Sequence, residues 1–244
     1  AVMSIVRSVK DMPFLLYHLA LVQVLVWVGN TAWNNYGAQW FANVVFEGDQ
    51  HAPEGSPQRI AYGHGVAAFS TGGQFKSGLQ LISSLTLMAI LLKTTIRPRL
   101  VYAPCIFLGG AADFLAAFAV GTSGVFAIVC MAVSTMPETG SFAIPFGLVA
   151  ILNKHAEEEG KQVSTALQMA LLNCCITVGQ QICTVSLAAL EASLPLETAL
   201  MWVMILAGIA HTLAGFGALS LNDKPPAPTI EDERAFEQQP STEC

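Results

Sequence analysis

This sequence predicts an all-α membrane protein of six transmembrane helices, and three observations carry that expectation. First, six long apolar stretches follow one another, at roughly Phe14–Trp33, Phe75–Leu92, Leu100–Val120, Val125–Leu152, Ala166–Leu190 and Ala199–Leu221. Each approaches the ~20 helical residues that cross a hydrocarbon layer of ~30 Å. Second, the chain is 53% hydrophobic and only 11% charged, with a mean hydropathy of +0.55, which suits a membrane protein rather than a soluble domain. Third, positive charge alternates between loops. Arg7, Lys10, Lys93, Arg97, Arg99, Lys154, Lys161, Lys224 and Arg234 fall on one side, and Arg59 and Lys76 on the other. The positive-inside tendency then places both termini in the cytoplasm.

The elements follow in order. Residues 1–12 read as a cytoplasmic segment, and Asp11 and Pro13 suit the start of the first helix as cap and first-turn residue. Beyond Trp33 the chain stays aromatic and amide-rich through Trp40, as expected where a helix leaves the bilayer through its interface. Glu47–Gly65 is polar and rich in Gly and Pro, so it is expected to be the one sizeable extracytoplasmic loop. Thr94–Arg99 is a short basic turn, Gly121–Gly124 a tight outer turn, Lys154–Lys161 a charged inner loop and Glu191–Glu197 an outer one. The bundle therefore occupies 13–221. Residues 222–244 are acidic and Pro-rich with little apolar content, the composition of a disordered cytoplasmic tail.

Function is sought where the sequence places polar groups at bilayer depth, because each costs ~2.5–3.5 kcal/mol on insertion scales unless partnered or wetted. Glu138 lies near the middle of the fourth span, between Pro137 and Pro145. Two prolines remove two backbone donors and open a helix locally, and interrupted helices mark many transporter sites. Asp113 follows the small run Gly109–Ala112, which admits a close neighbouring helix, and Lys76 is a candidate charge partner for it. His211, in the last span, suits proton transfer by its ordinary pKa, although a lone helical His is more often a packing residue. Glu138, Asp113 and His211 are thus the candidate proton-coupling groups. Asn30, Trp33, Asn34, Asn173 and Gln180 offer amides and an aromatic face to a polyhydroxylated ligand. Interhelical bonding and interface anchoring compete with that role.

Other classes find little support. The net charge of −6 argues against nucleic acid. There is no HExxH or GxSxG, and Gly72–Gly73 before Lys76–Ser77 lacks phosphate-loop spacing, so no enzyme is expected. Cys174–Cys175 has no second ligand cluster for zinc, and neither metal nor cofactor is expected. Cys105, Cys130, Cys174, Cys175 and Cys183 sit in apolar spans as small hydrophobes rather than as a disulfide framework.

Over residues 3–221 the chain resembles the C-terminal half of sucrose–proton symporters and their animal relatives, within the major facilitator superfamily. Pro137 and Pro145 keep that family's proline spacing, and Ala143–Leu148 (AIPFGL) is close to its VPYAL. Leu172–Asn173 followed by Gly179–Gln180 matches LN…PQ with Gly for Pro. His18–Leu19, Trp27 and Thr31–Trp33 resemble HL…W…TDW. Gly48–Asp49, Ala52–Pro53, Tyr62 and Gly65–Val66 resemble GDPKAP…YxxGV.

The resemblance implies a twelve-helix transporter whose two six-helix bundles rock around a carbohydrate site. This chain would supply the C-terminal bundle, and an N-terminal six-helix half would be its partner. The substrate implied is a neutral sugar, a disaccharide such as sucrose or a hexose, moved with protons. Departures bear on mechanism. The family's acidic residue in the first of these spans corresponds to Ala32, and the neighbouring acid of the plant proteins to Asn30. The arginine of GVR falls on Ala67 or on Lys76, depending on the anchoring glycine. Glu138 stands where the plant family carries an apolar residue. Either Glu138 or Asp113 has taken over coupling, or the protein is an uncoupled facilitator. A non-transporting six-helix scaffold or sensor is the alternative from another class.

Overall fold

The computed structural model describes residues 14–93, 96–158 and 164–221. The segments expected at 1–12 and 222–244 lie outside the described residues, as do Arg7, Lys10, Lys161, Lys224 and Arg234. Seven α-helices are described: α1 (Phe14–Gln39), α2 (Pro57–Lys93), α3 (Pro98–Ala117), α4 (Gly124–Val133), α5 (Thr135–Glu158), α6 (Thr165–Glu191) and α7 (Leu196–Leu219). They make six helical spans long and apolar enough to cross a membrane, α4 and α5 together forming the fourth. No strand occurs among the described residues. The protein is an all-α, multi-pass membrane bundle. In lipid the backbone must satisfy its own polar groups, and helices do so within each segment.

Two boundaries differ from the sequence expectation. The first span does not surface at Trp33. It continues through α1 into a six-residue π-helix, Trp40–Val45, whose residues are all buried. Trp33, Trp40 and Phe41 stack edge to face at 5.2 and 5.1 Å, so these aromatics are core rather than interface anchors. The second span starts at Pro57, well before Phe75, and runs 37 residues. Small and polar residues dilute its hydropathy, yet they are what its close packing requires. A Cβ on Gly65 would lie 2.5 Å from Ala42 Cα, and one on Gly72 2.9 Å from Met131 Sδ.

The true loop is therefore only 46–56. Glu47 takes a left-handed φ of 51°, uncommon for a residue with a side chain. Gly48 then presses on the Tyr62 backbone, where a Cβ would meet N at 2.2 Å. The Asp49 carboxylate accepts from His51 N at 2.7 Å, and the Arg59 guanidinium donates to Gln50 O. The glycines and Tyr62 of the GDPKAP…YxxGV-like stretch thus share a folded clamp joining the first two spans.

α3 and α7 pack along small residues. Gly110 meets Gly208 O and Thr212, Gly208 meets Phe114, and Gly215 meets Phe107. Without a hydrophobic force between helices in lipid, close van der Waals approach of this kind holds them together. The fourth span is interrupted at Ser134, between α4 and α5. Pro137 has no N–H for Val133 O, and the Ser134 hydroxyl turns back to donate to Met131 O at 2.7 Å. Pro145 leaves α5 unbroken, so only one of the two expected break residues interrupts the span. Gly109 accommodates the broken turn, for a Cβ there would lie 2.4 Å from Pro137 Cγ.

Candidate functional site

Two polar clusters occupy the bundle, and adjacent residues of α1 feed them. Trp33 turns inward to the first. Its indole Nε1 donates to Asp113 Oδ1 at 2.6 Å. Asp113 Oδ2 lies 2.6 Å from His211 Nδ1, and His211 Nε2 lies 3.1 Å from Val26 O. Asp113 and His211 are both fully buried. A carbonyl only accepts, so Nε2 carries a hydrogen. The Asp113–His211 contact then holds one proton, and the pair is net neutral wherever that proton rests. Gly29 makes the room, since a Cβ there would sit 2.3 Å from His211 Cε1. Asp113 is thus partnered by His211 and Trp33, and not by Lys76. Lys76 stays within electrostatic reach of it.

Asn34 turns the other way, to the second cluster. Lys76 Nζ donates to Asn34 Oδ1 at 2.6 Å and stands 3.0 Å from Glu138 Oε2. The Lys76–Glu138 contact is an ion pair whose angles do not make a hydrogen bond. The two charged side chains are 12% and 14% exposed, unlike the sealed Asp113–His211 pair. Glu138 sits in the first turn of α5, directly after the break at Ser134. Its carboxylate therefore lies near the N-terminus of a helix, where a negative charge is favoured.

The remaining sequence candidates divide. Asn30 is 2% exposed, and neither its Oδ1 nor its Nδ2 has a hydrogen-bond partner among the described residues. Leaving such groups unpaired costs about 1–3 kcal/mol each. Trp33 is sealed in the core with its N–H taken by Asp113; it positions that carboxylate instead of facing a ligand. Asn173 is exposed on α6 and Gln180 half-buried, and no hydrogen bond joins either side chain to the two clusters. Gly179, beside Gln180, meets Val24 O and Trp27, which seats α6 on α1.

Sequence reasoning missed Gln23 and Thr135, and it took Trp27 for an aromatic face rather than a buried donor. Gln23 is fully buried, donating to Ser141 O at 3.2 Å and accepting from the Tyr102 hydroxyl at 3.4 Å. The Trp27 indole N–H is buried without a partner among the described residues, and its ring meets Phe142 edge to face at 5.3 Å. Thr135 Oγ1, at the start of α5, is likewise unpaired. Gln23, Trp27, Asn30 and Asn34 recur every three or four residues along α1, so they form a polar stripe on one helical face. A search for amides at that spacing would have found it.

The arrangement offers a partly exposed charge pair, a sealed Asp113–His211 pair, and amide and indole donors on α1 without partners among the described residues. Comparisons of this sequence with protein-family models and with curated proteins found no match.

Proposed function

We propose that this chain forms one wall of a secondary transporter that moves a neutral carbohydrate by alternating access, coupled to protons. The observation that carries this reading is the Lys76–Glu138–Asn34 cluster beside the broken fourth span. A charged pair at that depth is tolerated where water or a ligand reaches it. The unpaired polar atoms of Asn30 and Trp27 lie along the same α1 face and suit sugar hydroxyls. Asn34 and Gln180 complete the polar lining in this reading. The uncovered faces of α2 and α6, only 6% and 28% buried over their most apolar stretches, fit packing against a second six-helix half.

In the proposed cycle, protonation of Glu138 releases the Lys76 ammonium to Asn34 and to incoming solute. The solute drives rocking only through its different affinity for the two states. Loss of the proton to the other side restores the ion pair and resets the bundle. The Asp113–His211 pair keeps α1, α3 and α7 together throughout.

The test is Glu138→Gln in the full-length protein, with uptake of radiolabelled sucrose and glucose into vesicles measured against pH. Accumulation that loses its pH dependence is the expected result; unchanged, pH-dependent accumulation removes Glu138 from the mechanism. An uncoupled facilitator is the second reading, favoured by Ala32, which is fully buried where the resemblance implies an acid. In that case both sugars equilibrate without accumulating, in the wild-type protein as in the variant. Uptake of neither sugar by the wild-type protein would favour the scaffold alternative.

A further inference from the structure

We infer that the groove between α2, α3 and α5 holds one acyl chain of an anionic bilayer phospholipid, its headgroup on Lys93 and Arg97. The groove is a cavity of about 260 Å³, walled by Leu79, Ile82 and Ile90 of α2, Val101 of α3 and Met136 of α5. Three hydroxyl residues also line it, but each is turned into its own helix. Ser83 donates to Leu79 O, Thr86 to Ile82 O at 2.8 Å and Thr139 to Thr135 O at 3.0 Å. With those donors spent, the wall presents hydrocarbon, which suits an alkyl chain and leaves a sugar unsatisfied.

Length and charge identify the occupant. From Leu79 to Ile90 the groove runs about 16 Å along α2, at 1.5 Å per residue. That is roughly half of the ~30 Å hydrocarbon thickness, the depth of one leaflet. At its end Lys93 continues the same helical face, three residues beyond Ile90, and Arg97 precedes Val101 by four residues. Both are exposed, whereas Arg99 donates to Leu221 O. Basic residues at the membrane surface attract anionic lipid. Leu81, Leu85 and Met88 are exposed apolar residues on the opposite side of α2 and available to a second bundle, while the exposed Ile82 is at the groove's own rim. The groove is thus independent of the transport reading.

The experiment places the full-length protein in nanodiscs of phosphatidylcholine doped with phosphatidylglycerol whose acyl chain carries a diazirine, and maps the crosslinks by mass spectrometry. Labels are expected on α2, α3 and α5 residues of the groove above the background on the exposed Leu213 and Phe216 of α7. Thr86→Trp and Ile90→Trp, which fill it from its middle and its end, are each expected to abolish that excess, while Leu85→Trp on the opposite face leaves it. Lys93→Gln and Arg97→Gln, both at exposed positions, are each expected to lower the preference for phosphatidylglycerol over phosphatidylcholine roughly five-fold. Labelling no greater than on α7, labelling indifferent to both tryptophans, or crosslinks from the groove to another polypeptide would each overturn the inference.

Discussion

His211 Nδ1 stands 2.6 Å from Asp113 Oδ2, and both side chains are sealed from solvent. This pair ties α3 to α7 through one shared proton, and Val26 O and the Trp33 indole bring α1 into the same junction. Removing one partner leaves the other buried with only its second hydrogen bond, to the Trp33 indole or to Val26 O, and breaking a buried pair this way costs about 3–5 kcal/mol. His211→Ala and Asp113→Ala should therefore each lower the unfolding midpoint of the detergent-solubilised protein sharply. If the two together cost little more than either alone, the pair acts as a unit. Strict additivity would show that the contact carries no energy.

Gly29→Ala probes the same junction from the other side. The new methyl would meet the imidazole at 2.3 to 2.6 Å, so the ring must leave its two partners. Overpacking of this kind costs about 1–3 kcal/mol. The prediction is a lowered midpoint in the wild-type background and a much smaller drop beside His211→Ala, read by the same thermal unfolding.

The ion pair at the break differs in being only partly buried, at 12% and 14% exposed. Lys76→Gln alone strands a partly buried carboxylate, and Glu138→Gln alone strands an ammonium. The double replacement strands neither. Monodisperse yield after purification is expected to fall in each single variant and to recover in the double variant. Failure of the double variant to recover would mean that the charges are independent.

Gly109 and Pro137 should be coupled through space. Gly109→Ala places a methyl 2.4 Å from Pro137 Cγ, forcing α3 away from the broken turn. In a Pro137→Ala background the ring is gone and the break can close into regular helix. Gly109→Ala is expected to destabilise the wild-type protein by about 1–3 kcal/mol and to cost less in that background. Equal costs in both backgrounds would separate the two residues.

How much of this was legible in the chain varies with the kind of signal. The spans could be read because transfer into lipid is a property of composition, summed over some twenty residues. Boundaries failed where helix packing asked for small or polar residues. Gly65 and Gly72 of α2 lower its hydropathy and are buried because their neighbours come so close. The buried Trp40 looked like an interface anchor for the reverse reason, since an aromatic suits either environment. Glu138, Asp113, Lys76 and His211 stood out because each is expensive in lipid. Their pairing did not. Lys76 was a plausible partner for Asp113, and His211 had no evident partner.

By itself the sequence determined that this chain is a bundle of membrane helices and that a handful of ionisable groups must find company inside it. Tertiary structure alone decided the company: His211 for Asp113, Lys76 for Glu138, Asn34 for Lys76, and none among the described residues for the Asn30 amide. The physical reason is that insertion depends on each residue's own free energy of transfer. Pairing depends on how helices are rotated and how closely they approach, and contacts between residues 42 to 185 positions apart in the chain establish both.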